Sequence, residues 1–248
     1  MTSNPSVSII TVTYNSEATL KRTMDSVLMQ TVPPLEYLIV DGCSKDKTLD
    51  IAQGMRGEFE DKGIALKIIS EPDEGIYDAM NKGIAAASGD IIGMINSDDW
   101  YEPCAVETVV NAYKEEPFDI FYADLRMHMP SGATFVKKSR YRKYATSRDW
   151  NHPTTFITSK MYGRFKYRND TIHDDYDLIL RLRKAGAKTT VKNVVLADFT
   201  MNGTSHERSF KKAMERVKIK YGIYRDNGYS PLYFLECFMV EMAKLIVG

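Results

Sequence analysis

Short apolar runs alternate with amphipathic segments along the first half of the chain. Four of these runs predict strands, at Val7 to Val12, Tyr37 to Val40, Leu66 to Ile69 and Asp90 to Ile95. The segments between and after them predict helices, at Glu17 to about Gln30, Lys47 to about Met55, Tyr77 to Ala87 and Pro103 to about Glu116. Strands that alternate with helices at short spacing predict a mainly parallel sheet with right-handed crossovers.

The second half of the chain has a less regular pattern. Short runs predict strands at Asp119 to Ala123, Leu125 to Met129, Thr134 to Val136, Thr154 to Thr158 and Thr189 to Val195. The turn Pro130-Ser131-Gly132 makes the second and third of these a hairpin. Helices are predicted at Asp174 to Ala185, His206 to Tyr221 and Pro231 to Val247. The basic run Lys137 to Lys143 is either a loop over an anionic ligand or ordinary solvated surface.

Composition and charge narrow the class of protein. The 248 residues, 44% of them hydrophobic, suffice for one large or two small domains with a substantial core. The 33 basic residues balance the 33 acidic ones, which argues against a general nucleic-acid binder. The three cysteines have no metal-binding spacing, the N-terminus has no signal-peptide pattern, and no stretch is apolar enough to span a membrane. A cytoplasmic protein with reduced thiols is therefore expected.

The strongest local sign of chemistry is the segment Asn96-Ser97-Asp98-Asp99, which follows the apolar run Ile91 to Ile95. Ligands bind beyond the carboxyl ends of strands in open α/β sheets. Two adjacent carboxylates there favour a divalent cation, because Mg²⁺ is usually held by one or two carboxylates together with substrate phosphates. The alternative is a solvated turn in which Asp99 or Ser97 caps the next helix.

Polar residues also follow two other predicted strands. Asn15 follows the first strand and Asp41 follows the second. Taken singly, Asn15 suits an Asx turn and Asp41-Gly42 suits an ordinary turn. Because the carboxyl ends of parallel strands share one edge of a sheet, these side chains are expected to converge with Asp98. No GxGxxG, P-loop lysine, HExxH or GxSxG motif is present, so a nucleotide site without a glycine-rich loop is what remains.

Several motifs occur in a consistent order that resembles the family 2 glycosyltransferases. They are Val7 to Asn15, Leu38 to Asp46, Asn81 to Gly83, Ser88 to Asp90, Asn96 to Asp99 and His173 to Leu182. The segment Ser70 to Gly83 is similar to bacterial transferases of surface-polysaccharide assembly. The resemblance covers roughly residues 6 to 200, and several spaced motifs in order are more specific than one.

The resemblance implies an α/β fold of the GT-A type: a Rossmann-like, mostly parallel sheet flanked by helices, with a small antiparallel hairpin and C-terminal helices. We expect a glycosyltransferase domain over residues 1–205, with a nucleotide-binding half (1–100) and an acceptor-binding half (101–205), and a helical extension over 206–248. The implied reaction is transfer of a sugar, with inversion, from a UDP- or GDP-sugar to a hydroxyl of a glycan or lipid-linked acceptor. It implies Mg²⁺ or Mn²⁺ and a role in cell-surface polysaccharide biosynthesis.

The resemblance also implies roles for individual residues of the nucleotide site. Thr13, Tyr14 and Asn15 would line the nucleotide pocket, Asp41 would meet the base, and Asp46 and Lys82 would flank the base and ribose. Lys82 is otherwise a solvated helix lysine. Asn96 stands where the family often has aspartate, so it would hydrogen-bond the ribose without adding charge. The metal is assigned mainly to Asp98, with Asp99 beside it.

The implied reaction needs a base for the acceptor hydroxyl. Asp175 matches the aspartate of the family's Glu-Asp pair and is the predicted base, and Asp174, in place of the glutamate, is the alternative. Both also suit the positive start of a helix, which is the structural alternative. His152 is a candidate for contact with the donor phosphate or acceptor. Trp150 and Tyr77 are candidates for stacking on a sugar or base, and all three also suit the core.

The C-terminal region combines a basic segment, Glu207 to Arg225, with an apolar amphipathic helix over 231–247. This combination suits adsorption to an anionic membrane, so peripheral attachment at the inner face of the plasma membrane is one expectation. Packing on its own domain and pairing in a homodimer are the alternatives.

Two other functions compete with the glycosyltransferase. A sugar nucleotidyltransferase usually needs a glycine-rich loop after the first strand, and residues 11–20 contain no glycine. A non-catalytic nucleotide-sugar-binding module would leave Asp175 without a role.

Overall fold

One mixed sheet forms the centre of the molecule. The computed structural model describes residues 4–201 and 209–247, and within them nine strands join this sheet. The strands are β1 (Val7–Thr13), β2 (Glu36–Asp41), β3 (Ala65–Ser70), β4 (Ile91–Met94), β5 (Trp100–Tyr101), β6 (Ile120–His128), β7 (Thr134–Lys137), β8 (Phe156–Thr158) and β9 (Thr189–Thr200). They lie in the order β3-β2-β1-β4-β8-β6-β9-β5, and β7 pairs with β6.

The first four strands are parallel, as the alternation of strands and helices predicted. Their registers place Thr13 opposite Asp41 and Asp41 opposite Ser70, so the carboxyl ends of β1, β2 and β3 lie side by side. β8 runs antiparallel to β4 and β6, and β7 forms the predicted hairpin with β6.

Helices cover both faces of the sheet. They are α1 (Leu20–Leu28), α2 (Thr48–Gly54), α3 (Arg56–Asp61), α4 (Ile76–Ala86), α5 (Ala105–Glu115), α6 (Ser159–Tyr162), α7 (Asp174–Lys184), α8 (Phe210–Asp226) and α9 (Tyr233–Val247). A 3-10 turn spans His152–Thr154. The sequence predicted all of these except the short helices α3 and α6 and the 3-10 turn.

One strand prediction was wrong at Asp124. The runs 119–123 and 125–129, predicted as separate strands, form the single strand β6. The buried carboxylate of Asp124 accepts hydrogen bonds from Ser139 N and Lys138 Nζ, both at 2.8 Å, so its charge does not interrupt the strand. The register of β6 against β9 shifts on both sides of Asp124, which absorbs the irregularity.

Other boundaries also differ from the predictions. β9 continues to Thr200, past the predicted end at residue 195, because the buried carboxylate of Asp198 bonds Arg126 at 3.0 Å. The two-residue strand β5, which pairs with β9, was not predicted. The predicted helix start at His206 and the domain boundary at residue 205 lie outside the described residues. α8 runs to Asp226, beyond its predicted end.

β1, β2 and β4 are buried on both faces, whereas the edge strand β3 is partly exposed. In β1, Ile9 belongs to one core with α1, α3 and α5, whereas Ile10 and Val12 belong to the other with α4, α7 and the C-terminal helices. Burial on both faces explains why these strands are rich in apolar residues and do not alternate strictly between apolar and polar positions.

A close approach at Gly93 joins the parallel strands to the second half of the sheet. Gly93 of β4 lies opposite Phe156 of β8. A Cβ atom at this position would lie 2.3 Å from Phe156 Cε1, so a larger residue would displace the ring. This contact therefore fixes the position of the residues after β4 relative to the second half of the sheet.

The C-terminal helices pack on their own chain. Tyr224 of α8 packs against Tyr176 of α7 with ring centroids 5.4 Å apart, and the two hydroxyls hydrogen-bond. The fully buried carboxylate of Glu241 in α9 pairs with Arg216 at 2.7 Å and Lys220 at 2.6 Å, both on α8. One face of α9 is thus covered by its own domain. Within residues 4–201 and 209–247, no helix is both long and apolar enough to cross a bilayer.

Candidate active site

Asp41 lies at the predicted edge of the sheet, at the end of β2. It is fully buried and accepts hydrogen bonds from Ser70 Oγ at 2.7 Å, from Ser44 N at 3.0 Å and from the Ser44 hydroxyl. Both of its oxygens are therefore engaged by the protein, and the carboxylate orders the loop after β2.

Asn15 and Asp46 connect the loop after β1 to the loop after β2. Asn15 has a φ of 49°, and its Oδ1 accepts a hydrogen bond from Lys45 N at 2.8 Å. Asp46 accepts hydrogen bonds from Glu17 N and Thr48 N, both at 3.0 Å. Desolvation raises the pKa of Asp46, but hydrogen bonds from Thr48 and Glu17 outweigh it and lower the pKa. Both side chains fix the two loops in one arrangement.

The accessible surface at this edge is formed by Tyr14, Gly42 and Asp73. Tyr14 is 61% exposed, whereas Thr13 is buried beneath it. A Cβ atom at Gly42 would lie 2.5 Å from Asp73 Oδ2 and 3.5 Å from Tyr14 Cδ2, so the three residues are in close contact. An aromatic ring and a carboxylate beside a glycine suit a planar base, which stacks on the ring and donates hydrogen bonds to the carboxylate.

Lys82 holds the loop that carries Asp73. Its Nζ donates to Pro72 O at 2.6 Å and lies 3.1 Å from Asp78 and 3.3 Å from Glu71. The hydrogen bond with Asp78 is the main reason that its pKa is raised. The Lys82 ammonium is therefore bound by groups of the protein, and in this structure it stabilises the loop that carries Asp73.

The segment after β4 presents oxygen atoms that have no partner among the described residues. No hydrogen bond reaches the Asp98 carboxylate there, and Asn96 Oδ1 and Asp99 Oδ2 are buried without one. Asp99 is completely buried, and its Oδ1 accepts a hydrogen bond from Thr200 N at 3.1 Å. Burial raises the pKa of Asp99 to about 8, and repulsion from Asp98 adds to this rise.

Arg22 holds the backbone of this segment. Its guanidinium carbon lies 3.8 Å from the centroid of the Trp100 ring. Its Nη2 donates to Asp98 O at 2.7 Å and to Thr200 Oγ1 at 3.3 Å. These contacts fix the main chain of Asp98 and leave its carboxylate open.

Asp175 lies in the first turn of α7 and is held from one side. Tyr77 Oη donates to Asp175 Oδ1 at 3.1 Å and to Ile172 O at 3.1 Å. Tyr176 N also donates to Asp175 Oδ1, at 2.8 Å. Within the described residues no hydrogen bond reaches Asp175 Oδ2, so this oxygen is open to a proton donor.

Asp174 is held on both of its oxygens. Its buried carboxylate accepts hydrogen bonds from Asp170 N, Thr171 N and Thr171 Oγ1, each at 2.8 Å. It therefore closes the turn before α7, as the helix-start alternative expected. This difference between two adjacent aspartates favours Asp175 as the base.

Two side chains of α4 fix the segment that leads to Asp175. Asn81 Nδ2 donates to Tyr167 O at 2.9 Å, and Tyr167 N donates to Asn81 Oδ1 at 3.1 Å. Tyr77 is 7% exposed, and its ring stacks on Tyr167 with centroids 5.2 Å apart. The Tyr77 ring thus packs within the protein while its hydroxyl reaches the candidate base.

A small cavity lies beside Asp175, and Met94, Trp150, His152 and Tyr167 are among its lining residues. Because Met94 ends β4, the cavity places Asp175 next to the strand whose continuation carries Asp98. Trp150 is 7% exposed, and its Nε1 has no partner among the described residues. Burial lowers the pKa of His152 below its usual value, so this imidazole is neutral near pH 7.

Several residues that support the site in the structure are not among the predicted site residues. Asp73 and Asn81 stand inside motifs that the resemblance uses, so a signal for them was present. Lys137 was assigned to a basic run; its Nζ donates to Trp150 O at 3.1 Å, and burial lowers its pKa to about 8. Arg22 carried no signal, because its contact with the Asp98 carbonyl joins residues that are 76 positions apart.

Comparison with known proteins identifies the class of enzyme. The family model for Glycosyl transferase family 2 matches residues 8–177. A PGL/p-HBAD biosynthesis glycosyltransferase of Mycobacterium bovis is 38% identical over 226 residues, which cover 86% of this chain and 84% of that protein. Chondroitin synthase of Pasteurella multocida is 30% identical over 193 residues, which cover 73% of this chain. The matched region is only 19% of that synthase, so the chain corresponds to a small part of it.

Solved structures share the fold at low sequence identity. Staphylococcus aureus TarS (residues 1–349) with UDP has a TM-score of 0.68 and 17% identity, over 96% of this chain and 70% of that one. The mannosyltransferase PcManGT from Pyrobaculum calidifontis, with GDP-Man and Mn²⁺, has a TM-score of 0.68 and 17% identity, over 100% and 71%. The fold and the polar edge of the sheet therefore define a glycosyltransferase of the GT-A fold, as predicted. The chain belongs to glycosyl transferase family 2.

Proposed function

We propose that this enzyme transfers a sugar from a UDP- or GDP-sugar to an acceptor hydroxyl, with inversion at the anomeric carbon and Asp175 as the base. One observation carries the proposal: Asp175 has one oxygen fixed by Tyr77 and one open, beside the strand that leads to Asp98. The bound UDP of TarS and GDP-Man of PcManGT support this class of donor.

Residues 96–99 fit a divalent cation, either Mg²⁺ or Mn²⁺. Asp98 would hold it with an open carboxylate, and the unpartnered oxygens of Asn96 and Asp99 lie in the same segment. No group of three or more His, Cys, Asp or Glu side chains in the described parts of the chain is arranged to bind a metal alone. Donor phosphate and water oxygens would therefore complete the coordination, as is usual for Mg²⁺. A bound cation stabilises negative charge on the leaving diphosphate.

In the proposed step, the acceptor oxygen bonds to the anomeric carbon as the bond from that carbon to the diphosphate oxygen breaks. The electron pair leaves with the nucleoside diphosphate, and the proton of the hydroxyl passes to Asp175 Oδ2. Attack from the face opposite the leaving group inverts the configuration. Because Tyr77 and the backbone of Tyr176 fix Oδ1, the carboxylate is oriented before the substrate binds.

The names of relatives support a glycan or lipid-linked acceptor and a role in cell-surface polysaccharide biosynthesis. They include a chondroitin synthase, a hyaluronan synthase and a PGL/p-HBAD biosynthesis glycosyltransferase. A cytoplasmic location and the nucleotide-binding and acceptor-binding halves, 1–100 and 101–205, remain predictions.

Hydrolysis of nucleotide sugars, measured without an acceptor, tests the proposal. Wild type should hydrolyse one UDP- or GDP-sugar slowly, and EDTA should abolish the reaction until Mg²⁺ or Mn²⁺ is added back. Asp175→Asn should lower turnover about 10² to 10⁴-fold, the usual contribution of a general base, with nucleotide affinity retained. Asp226→Asn, at an exposed aspartate of α8, is the matched control and should have wild-type turnover. Full turnover in Asp175→Asn would contradict the assignment.

Two further readouts separate the competing functions. Formation of labelled nucleoside triphosphate from a nucleotide sugar and labelled pyrophosphate, with release of the sugar 1-phosphate, would favour a nucleotidyltransferase. Tight binding of nucleotide with no turnover on any donor would favour a binding module. Once an acceptor is found, a product with the anomeric configuration of the donor would contradict inversion.

A further inference from the structure

A cationic segment connects β7 to the 3-10 turn at His152. We name residues 138–148 the strap. Arg140, Lys143 and Arg148 of the strap are exposed and form no ion pair with any other described residue, whereas Arg142 lies 3.3 Å from the buried carboxylate of Asp149. The strap also exposes an aromatic ring, since Tyr144 is 71% exposed.

The strap is attached to the start of α9. Thr146 Oγ1 donates to Glu236 Oε1 at 2.8 Å, and Tyr224 Oη donates to Ala145 O at 2.9 Å. Leu232 precedes Glu236 by four residues, so it lies about one helical turn from this contact. The strap is therefore in direct contact with the start of α9, close to its exposed apolar side chains.

The outward side of α9 and the turn before it are apolar. Leu232 in the turn is 74% exposed, and Leu235 and Met239 in α9 are 56% and 63% exposed, although the opposite side of the helix buries Cys237 and Glu241. We name Leu232, Leu235 and Met239, together with Arg140, Lys143 and Arg148, the α9–strap face. Apolar side chains flanked by cations are the pattern of a surface that binds anionic membranes.

The strap leads directly to residues that line the cavity beside Asp175. The strap starts directly after Lys137, whose ammonium bonds the Trp150 carbonyl, and it ends just before Asp149 and Trp150. Trp150 lines the same cavity as Asp175. A ligand held at this face would thus lie next to the residues that surround the candidate base.

We propose that the α9–strap face docks on a bilayer that contains anionic phospholipid, and that this docking presents a lipid-linked acceptor to Asp175. The second part rests on the proposed function, whereas docking itself does not. A soluble polyanion would engage the cations and leave the leucines in water. A two-fold dimer through this face would bring two cationic straps into one interface without an anionic partner among the residues of the face.

Vesicle flotation of the full-length chain tests the proposal, with phosphatidylcholine alone or mixed with phosphatidylglycerol. Wild type should float with the anionic vesicles and remain below with the neutral ones, and added salt should weaken binding. The double variant Lys143→Glu, Arg148→Glu should lower the partition coefficient at least about 25-fold, because each basic residue near an anionic surface contributes roughly fivefold. Lys62→Glu, Lys114→Glu carries the same charge change on exposed residues of the other side of the sheet, and it should float like wild type.

A second variant tests the apolar part of the face. Leu235→Ser, Met239→Ser should lower binding while leaving slow donor hydrolysis at the wild-type rate, since neither residue contacts the site. Equal flotation of wild type and both face variants would overturn the proposal. So would a wild-type dimer that the Leu235→Ser, Met239→Ser change splits, without any binding to vesicles. Asp175→Asn should float like wild type, so a failure of the catalytic proposal would be seen separately.

Discussion

Replacing Glu36 by glutamine tests a buried carboxylate at the end of the sheet that is remote from the candidate site. Glu36 begins β2 and is 1% exposed. Its Oε1 accepts hydrogen bonds from Ser8 Oγ and Ser88 N, both at 2.6 Å, and its Oε2 lies 2.5 Å from Lys67 Nζ. Burial alone would raise the pKa of Glu36, but the hydrogen bonds from Lys67, Ser8 and Ser88 outweigh burial and lower it to about 2.

The magnitude of the effect follows from this pKa. Displacement from the ordinary value of 4.5 to about 2 corresponds to about 3 kcal/mol in favour of the charged carboxylate in the folded state, at about 1.4 kcal/mol per pH unit. Because the folded pKa lies below the unfolded one, this stabilisation is fully present above the unfolded value. It is lost as the pH falls from there through the folded value.

We expect Glu36→Gln to lower the free energy of unfolding by about 2 to 3 kcal/mol at neutral pH, because the amide cannot pair with Lys67. The difference from wild type should shrink by about 1.5 kcal/mol at about pH 3.5, where wild type has lost part of its advantage. Urea unfolding followed by circular dichroism at both pH values measures this. Glu60→Gln, at an exposed position of α3, is the control and should change stability by less than about 0.5 kcal/mol.

A difference between wild type and Glu36→Gln that is equally large at both pH values would contradict a stabilising role for the Glu36 charge. It would mean that the loss comes from packing or hydrogen-bond geometry, and that the charge of Glu36 contributes little.

Two further predictions address the site. Tyr77→Phe removes the hydroxyl that fixes the candidate base, so steady-state kcat should fall about tenfold or more with little change in donor KM. The control Tyr37→Phe removes a buried hydroxyl bonded to Thr11 and should retain kcat. Equal losses of kcat in both variants would contradict the assignment of Tyr77. Gly42→Ala places a Cβ atom 2.5 Å from an Asp73 oxygen and should raise donor KM severalfold. Gly57→Ala, with no atom within 4 Å of the new Cβ, should leave KM unchanged, and an unchanged KM in Gly42→Ala would place the donor elsewhere.

The central parallel strands were predictable because they are buried on both faces. A strand rich in apolar and β-branched residues, such as β1, followed by an amphipathic helix is typical of a central parallel strand. β5 has only two residues, so it has no periodicity to detect. The end of β9 contains Asp198, a charge that is tolerated there only because Arg126 and His128 contact it from β6.

The location of the candidate site could be predicted from the sequence, but the role of each residue in it could not. The motifs placed Asp41, Asp98, Asp174 and Asp175 correctly at strand and helix ends. Their residue type alone does not distinguish the roles of these four aspartates. In the structure, Asp41 and Asp174 have both oxygens engaged, whereas Asp98 and Asp175 keep an oxygen open among the described residues.

Most strands and helices, the family, and the edge of the sheet at which polar residues meet could be read from the amino-acid sequence, because these depend on local periodicity and on motifs in a fixed order. Which carboxylates are available for chemistry depends on the folded arrangement. A carboxylate is open or engaged according to partners that are distant in the chain. Tyr77 reaches Asp175 across 98 positions, and Thr200 reaches Asp99 across 101. No local pattern records such pairs, because folding alone brings them within hydrogen-bond distance.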